Sequence, residues 1–225
     1  MAQTATAFDF EKARFNMIEQ QIRPWEVLDQ RVLDVIAATP REDFVPARYR
    51  NSLAFADIAL PIGHDQVMMP PKLEGRLLQS LTLAPTDRVL EIGTGSGYLT
   101  ACLAHLAGEV HSVDLYEDFT AGAGERLAAH GIRNVALQTA DAALGWNEDR
   151  GFDAIAVTGS LPLLHKGFHK ALKIGGRLFV IVGHPPVMEA LRITRVGDNQ
   201  WATESLFDTA IPPLVGAPDR EAFDL

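Results

Sequence analysis

Apolar residues recur at intervals of three and four along two stretches near the start of the chain: Phe15, Ile18 and Ile22, then Leu28, Val32 and Ile36. That period matches one face of an α-helix, so the pattern predicts two amphipathic helices, over 10–22 and 28–38, packed as a pair. Between 39 and 71 the period is lost over a stretch carrying five prolines. A connection of that length in a compact domain marks a functional loop or a lid. Helical spacing returns from Pro71 to Leu81, with proline in the opening turn where its missing N–H does no harm.

Beyond Pro85 the rhythm becomes strand then helix, repeated: "DRVLEIG" and "YLTACLAHLA", "EVHSVDL" and "DFTAGAGERLAAHG", "NVALQTA", "FDAIAVTG" and "LLHKGFHKALK", "GGRLFVIVG". Such alternation predicts an α/β fold, a parallel sheet with helices on both faces. The first and fifth strands are nearly continuous apolar runs, as strands covered on both sides require. "ALRITRVG" and "QWATESLFDTAI" follow, split by "GDN", a hairpin signal that predicts an antiparallel edge. The expected sheet therefore has seven strands, mostly parallel, preceded by an N-terminal helical elaboration. The change of rhythm divides the chain into 1–84, helices and lid loop, and a following 85–225 domain on which they pack.

Composition narrows the class. At 225 residues, 47% hydrophobic and 22% charged, the chain has the material for one sizeable core and none of the bias of a disordered segment. A formal net charge of −9 works against a phosphate-tracking surface, so no nucleic-acid partner is expected. The opening "MAQTATAFDF" has neither a basic start nor an apolar stretch, and no run approaches a membrane span. One cysteine, Cys102, leaves no intramolecular disulfide and fits a reducing compartment, so cytoplasmic residence is the expectation.

The candidate chemistry starts at "VLEIGTGSGYL", where Gly93, Gly95 and Gly97 stand between a buried strand and a helix. Glycines there let the backbone turn sharply and approach a ligand at the strand's carboxyl end. A P-loop would need Lys and Ser/Thr after the last glycine, but Tyr98 and Leu99 follow. A dinucleotide site wants G-x-G-x-x-G, and Glu91 beside the turn would repel a pyrophosphate. S-adenosylmethionine has no phosphate and carries a cationic sulfonium and amino group, so the acid would attract it. Asp114, ending the next strand, is placed to accept ribose hydroxyls, and Asp141, beyond the third strand, to accept the adenine amino group. Asp141 taken alone also reads as a solvated turn residue, the lesser of its two readings.

With these residues in place, the chain resembles the protein-L-isoaspartate O-methyltransferase family. The likeness runs through "MIEQQI" (17–22), "PREDFVP" (40–46), "ADIALPIGH" (56–64), "RVLEIGTGSGY" (88–98), "DAALGW" (141–146), "FDAIAVTG" (152–159), "LKIGGRLFVIVG" (172–183) and "IPPLVG" (211–216). The resemblance implies a class I, Rossmann-like methyltransferase whose S-adenosylmethionine site takes in Glu91, Gly93, Thr94, Gly95, Ser96, Gly97, Asp114, Leu115, Asp141 and Ala142. It implies as substrate a protein or peptide carrying isoaspartate, whose free α-carboxylate is methylated to begin repair. The substrate side would involve Val67, Met69, Thr158, Pro213 and Leu214.

The chain departs from the family pattern in one loop. Val67, Met68 and Met69 stand where the family usually has Thr-Ile-Ser, so the serine regarded as its active-site residue is Met69 here. Asp65 replaces a glycine, and Ala140-Asp141-Ala142 replaces Gly-Asp-Gly. Losing one hydrogen bond to a charged group costs about 1.5–3 kcal/mol, roughly 10- to 150-fold in rate. Transfer to the isoaspartyl carboxylate is then weakened, or redirected to another acceptor, including a small molecule, or lost in a protein that only binds the cofactor. His165 and His169 have a zinc-compatible spacing, but no glutamate joins them and Gly167 lies between, so no metal is expected.

Overall fold

A computed structural model describes residues 8–148 and 150–219; the opening seven residues, read above for a leader, lie outside the described residues. Helix α1 (Phe10–Met17) is capped by Asp9, whose carboxylate accepts the Lys12 N–H at 3.0 Å. It runs into a π-helical turn over Ile18–Ile22, and Asp29 caps α2 (Gln30–Ala38). The apolar period is only partly honoured: Ile18, Ile22, Val32 and Ile36 are buried, while Phe15 and Leu28 are exposed. Of the long loop, 60–68 folds into a hairpin, β1 (Leu60–Gly63) and β2 (Gln66–Met68). Its turn residues, His64 (φ 51°) and Asp65 (φ 56°), are both left-handed, which explains why a glycine suits position 65 and why Asp is tolerated there. Helix α3 spans Pro71–Leu81, matching the sequence expectation.

The remaining elements are β3 (Arg88–Ile92), α4 (Tyr98–Leu106), β4 (Glu109–Asp114), α5 (Glu117–Ala129), β5 (Val135–Thr139), β6 (Phe152–Leu161), β7 (Leu172–His184), β8 (Val187–Gly197) and β9 (Gln200–Thr209). The seven-stranded sheet has the order β5-β4-β3-β6-β7-β8-β9. Strands β5 to β7 of that order are parallel, and β8 and β9 are antiparallel at one edge, as the hairpin signal required. Chain order reverses between β3 and β6, so a switch-point crevice opens beyond their carboxyl ends. No helix among the described residues is long and apolar enough to cross a membrane.

One face of the sheet packs against the helices: Val89, Val110, Ala156, Phe179 and Ile181 share a core with Ile22, Ile36, Leu77 and Leu103. The other face departs from expectation. Leu90, Ile92, Ile155, Val157 and Val180 are covered by Ala142, Phe168 and Ala171 from irregular segments and a 3₁₀ turn, and among the described residues no α-helix contributes. The helix predicted at 163–173 does not form; a single 3₁₀ turn (His169–Ala171) stands there, and Leu172 already begins β7. Gly167 explains this. A Cβ on it would fall 1.9 Å from the Leu144 carbonyl oxygen, so the segment lies backbone to backbone on the 142–145 loop instead of coiling. The His165 ring bridges the same two segments, meeting the Ala143 carbonyl at 2.9 Å and accepting the Gly167 N–H at 3.1 Å.

Candidate active site

The three glycines after β3 have φ of 99°, 50° and 82°, values other side chains rarely adopt, and each has its own neighbour. A Cβ on Gly93 would lie 2.1 Å from Thr158 Oγ1, which ties the turn to β6 at the switch point. Gly95 sits under Ile62 of the hairpin. Gly97 starts α4 and meets Ala123 of α5, so its role is helix packing. The turn's shape is fixed from β4: Asp114 accepts the Gly95 N–H at 2.8 Å through Oδ2 and the Tyr116 N–H at 3.0 Å through Oδ1. Burial raises the Asp114 carboxyl above its ordinary pKa, against the pull of these backbone donors.

Around this turn lies a cleft of about 920 Å³, counting its open mouth. It gathers Gly93, Thr94, Gly95, Ser96, Asp114 and Leu115, with Asp141 and Ala142 from the next strand's exit. Asp141 serves both readings at once, accepting the Ala143 N–H at 2.9 Å as a turn residue while lining the cleft. Val67 and Met69 of the hairpin segment and Leu214 of the C-terminal segment form the opposite wall. That segment is laid beside β6: Ser160 donates its N–H to Pro212 O at 3.0 Å, and Leu214 N–H returns to Ser160 O at 2.9 Å. Thr158 also lines the cleft, with its hydroxyl donating to the Ile92 and Gly93 carbonyls at 2.9 and 2.8 Å.

Three predicted residues stand elsewhere. Pro213 faces away in its bridge to Ser160, and Pro212 lines the cleft in its place. Gly97 does not reach the cleft. Glu91 is wholly buried behind it, accepting hydroxyls from Thr100 at 2.5 Å and Ser112 at 2.6 Å. Burial pushes its pKa up to about 8, beyond what those hydroxyls offset, so near neutral pH it is uncharged. Burial behind the cleft thus works against the attraction expected between Glu91 and a cationic ligand. Glu91 instead orders Ser112, whose hydroxyl pairs with Thr94 at 2.6 Å on the cleft wall.

The structure adds residues the sequence reading passed over. Glu74 of α3 lines the cleft beside Met69, and its Oε2 is held by Arg41 Nη1; both side chains are buried. Arg41 spends its other donors on the loop, Nε on Ala54 O at 2.9 Å and Nη2 on Met69 O at 2.8 Å. Burial raises Glu74, against the attraction of Arg41, to about 7. The signal was present: Glu74 precedes Leu78 by one helical step and Leu81 by two, which puts it on the apolar face. Tyr116 and Phe119 also line the cleft, and Tyr116 stacks on His64 at 3.9 Å between ring centres. With His64 Nε2 2.9 Å from Asp118, this latches the hairpin to α5.

The donor set fits S-adenosylmethionine. Among the described residues the cleft carries Glu74, Asp114 and Asp141 and no Lys, Arg or His, which opposes a pyrophosphate and suits a phosphate-free cation. Comparison with known proteins agrees. The sequence profile of the Protein-L-isoaspartate(D-aspartate) O-methyltransferase (PCMT) family matches residues 12–218. The protein-L-isoaspartate O-methyltransferase of Roseiflexus castenholzii is 41% identical over 208 residues, 92% of this chain and 94% of that one. Protein-L-isoaspartate O-methyltransferase 2 of Pelobacter propionicus is 38% identical over 208 residues, 92% of either chain. A solved Plasmodium falciparum structure described as a putative protein-L-isoaspartate O-methyltransferase, in complex with S-adenosyl-L-homocysteine, superposes with a TM-score of 0.74 at 20% identity. It covers 92% of this chain and 98% of its own, a likeness of fold.

Proposed function

Because the chain belongs to the protein-L-isoaspartate(D-aspartate) O-methyltransferase family, we propose that it methylates the α-carboxylate of isoaspartyl residues in damaged proteins, using S-adenosylmethionine. One observation carries the reading at the level of this chain: a single cleft at the switch point joins the acid-flanked glycine turn to a wall built from the hairpin and the C-terminal segment. Donor and acceptor would meet there. In that arrangement Asp114 takes the ribose hydroxyls and Asp141 the adenine side, while Gly93 and Gly95 let the backbone approach. Val67, Met69 and Leu214 face the acceptor. The single cysteine is buried, with its thiol pushed up to about 12 by burial, and suits a cytoplasmic protein.

The bound cofactor supplies an electrophilic methyl group on a sulfonium. The chain's own task is alignment and exclusion of water, because a carboxylate with a pKa around 4 is already ionised and needs no general base. Positioning of that kind is worth about 7–11 kcal/mol. Thr158 contributes indirectly: its one hydroxyl proton is committed to backbone carbonyls, so it shapes the turn and leaves orientation of the acceptor to other groups. Ile62 and Met69 close the cleft with apolar surface.

Incubation with labelled S-adenosylmethionine and a matched pair of isoaspartyl and aspartyl peptides tests the proposal. Transfer to the isoaspartyl member alone is expected. Transfer to neither, with S-adenosylhomocysteine still binding, would move the acceptor elsewhere; tighter binding of NAD than of S-adenosylhomocysteine would remove the cofactor assignment.

A further inference from the structure

An acceptor carboxylate entering this cleft needs a hydrogen-bond donor, and the lining offers few. Thr158 donates to backbone carbonyls and Thr94 is paired with Ser112, while the two hydroxyls left to donate stand on the glycine-turn side, Ser96, whose oxygen accepts the Tyr98 N–H, and Tyr116 just after β4. Gln66 turns its amide toward the His64 carbonyl at 3.3 Å. Beside Met69 the remaining polar side chain is Glu74, 2% exposed, whose Oε2 is occupied by Arg41 and whose Oε1 has no hydrogen-bond partner among the described residues.

Resting on the isoaspartyl reading, we propose that Glu74 recognises the acceptor: its Oε1 carries a proton and donates an O–H···O bond to the substrate carboxylate, while Arg41 holds Oε2. The charges then balance. Arg41 is the buried cation, the substrate carboxylate is the anion, and Glu74 between them is neutral. A Glu74 that is ionised before binding takes one proton from solvent as the substrate docks, and returns it after the neutral ester leaves. The alternative, two carboxylates facing one another with one guanidinium behind, is the repulsive arrangement that drives two acids to share a proton.

The titratable groups around Glu74 leave this proton identifiable. Arg41 approaches from the 3₁₀ turn at 41–43, Tyr98 and Cys102 from α4, and Glu91 from β3. Tyr98 is raised well above its ordinary value and Cys102 to about 12, both through burial, so neither titrates near neutrality. Of these groups Glu91, at about 8, is the competitor, and replacing Glu74 separates the two.

The test is calorimetric binding of an isoaspartyl peptide to the S-adenosylhomocysteine-loaded protein, in two buffers of different ionisation heat. With Glu74 at about 7, uptake approaching one proton per peptide is expected at alkaline pH, with affinity falling about tenfold per pH unit above that point. In Glu74→Gln the amide N–H donates without a proton from solvent, so uptake disappears and the affinity becomes flat with pH. S-adenosylhomocysteine affinity of the variant reports an intact cleft; if it is lost, proton uptake in Glu91→Gln decides, persisting if the proton is on Glu74 and vanishing if it is on Glu91. PH-independent binding without uptake, or uptake that survives in Glu74→Gln, overturns the role of Glu74 alone. An unmodified protein that binds no isoaspartyl peptide at any pH overturns the acceptor reading and this inference with it.

Discussion

Asp114 is asked to do two things with one carboxylate. It orients the glycine turn through Gly95 and Tyr116, and it faces the cleft with its remaining lone pairs. An Asp114→Asn variant keeps the shape but loses the charge and sets an amide N–H against a backbone donor. S-adenosylhomocysteine affinity is expected to fall roughly 10- to 150-fold, the cost of about 1.5–3 kcal/mol for a hydrogen bond to a charged group, measured by titration calorimetry. Asp114 was legible from spacing, because the distance from a glycine turn to the next strand's end is set by one helix and one strand. The burial of Glu91 was not legible, because spacing gives a residue's place along β3 but not the charge state that burial favours there. Glu74 and Arg41 meet across 33 positions of sequence, and no local pattern pairs them.

The lid segment owes its shape to that pair. Arg41 ties the 41–43 turn, Ala54, Met69 and α3 into one unit, with three hydrogen-bonding partners, Ala54 O, Glu74 and Met69 O, converging on a buried guanidinium. Replacing it by methionine leaves Glu74 buried without its cation, a change that costs about 3–5 kcal/mol when one partner of a buried pair is removed. Glu74 escapes part of this cost by binding a proton, so Arg41→Met should lower the melting temperature more at alkaline pH than at acid pH, which thermal melts at two pH values check. Equal losses at both would mean that Glu74 is neutral throughout. Among the elements, the alternation of β3 to β7 and the β8–β9 hairpin were readable because buried strands and turn residues leave local marks. The segment 163–173 was not, since what stops its helix is the Leu144 carbonyl pressed on Gly167, a contact made only once both segments lie on the sheet.

At the scale of the molecule, the division at 84/85 marks a change of rhythm and not of core. Leu73, Leu77 and Ile36 pack in one cluster with Val89, Val110 and Phe179, and Arg177 of β7 donates to the Leu81 and Thr82 carbonyls at the end of α3. A single calorimetric transition is expected; two would separate 1–84 from 85–225. The buried acids give that transition a pH dependence. Glu91 binds its proton more tightly folded, at about 8, than at its ordinary 4.5, so its contribution is fully present below 4.5 and is lost as pH rises toward 8. His169, lowered by burial from 6.5, works the other way but only below 6.5. Glu74, raised to about 7, acts in the same direction, so denaturant midpoints should decline between 6.5 and 8, and Glu91→Gln should lessen that decline while leaving the share of Glu74. The cleft also has a temporal side. Its floor is the glycine turn at 93–97, but one wall is residues 211–215, where Leu214 presses so close to Gly159 that a Cβ there would sit 2.7 Å from it. Floor and wall lie more than a hundred positions apart in the chain, so the cleft is complete only once the 211–215 segment has docked beside β6.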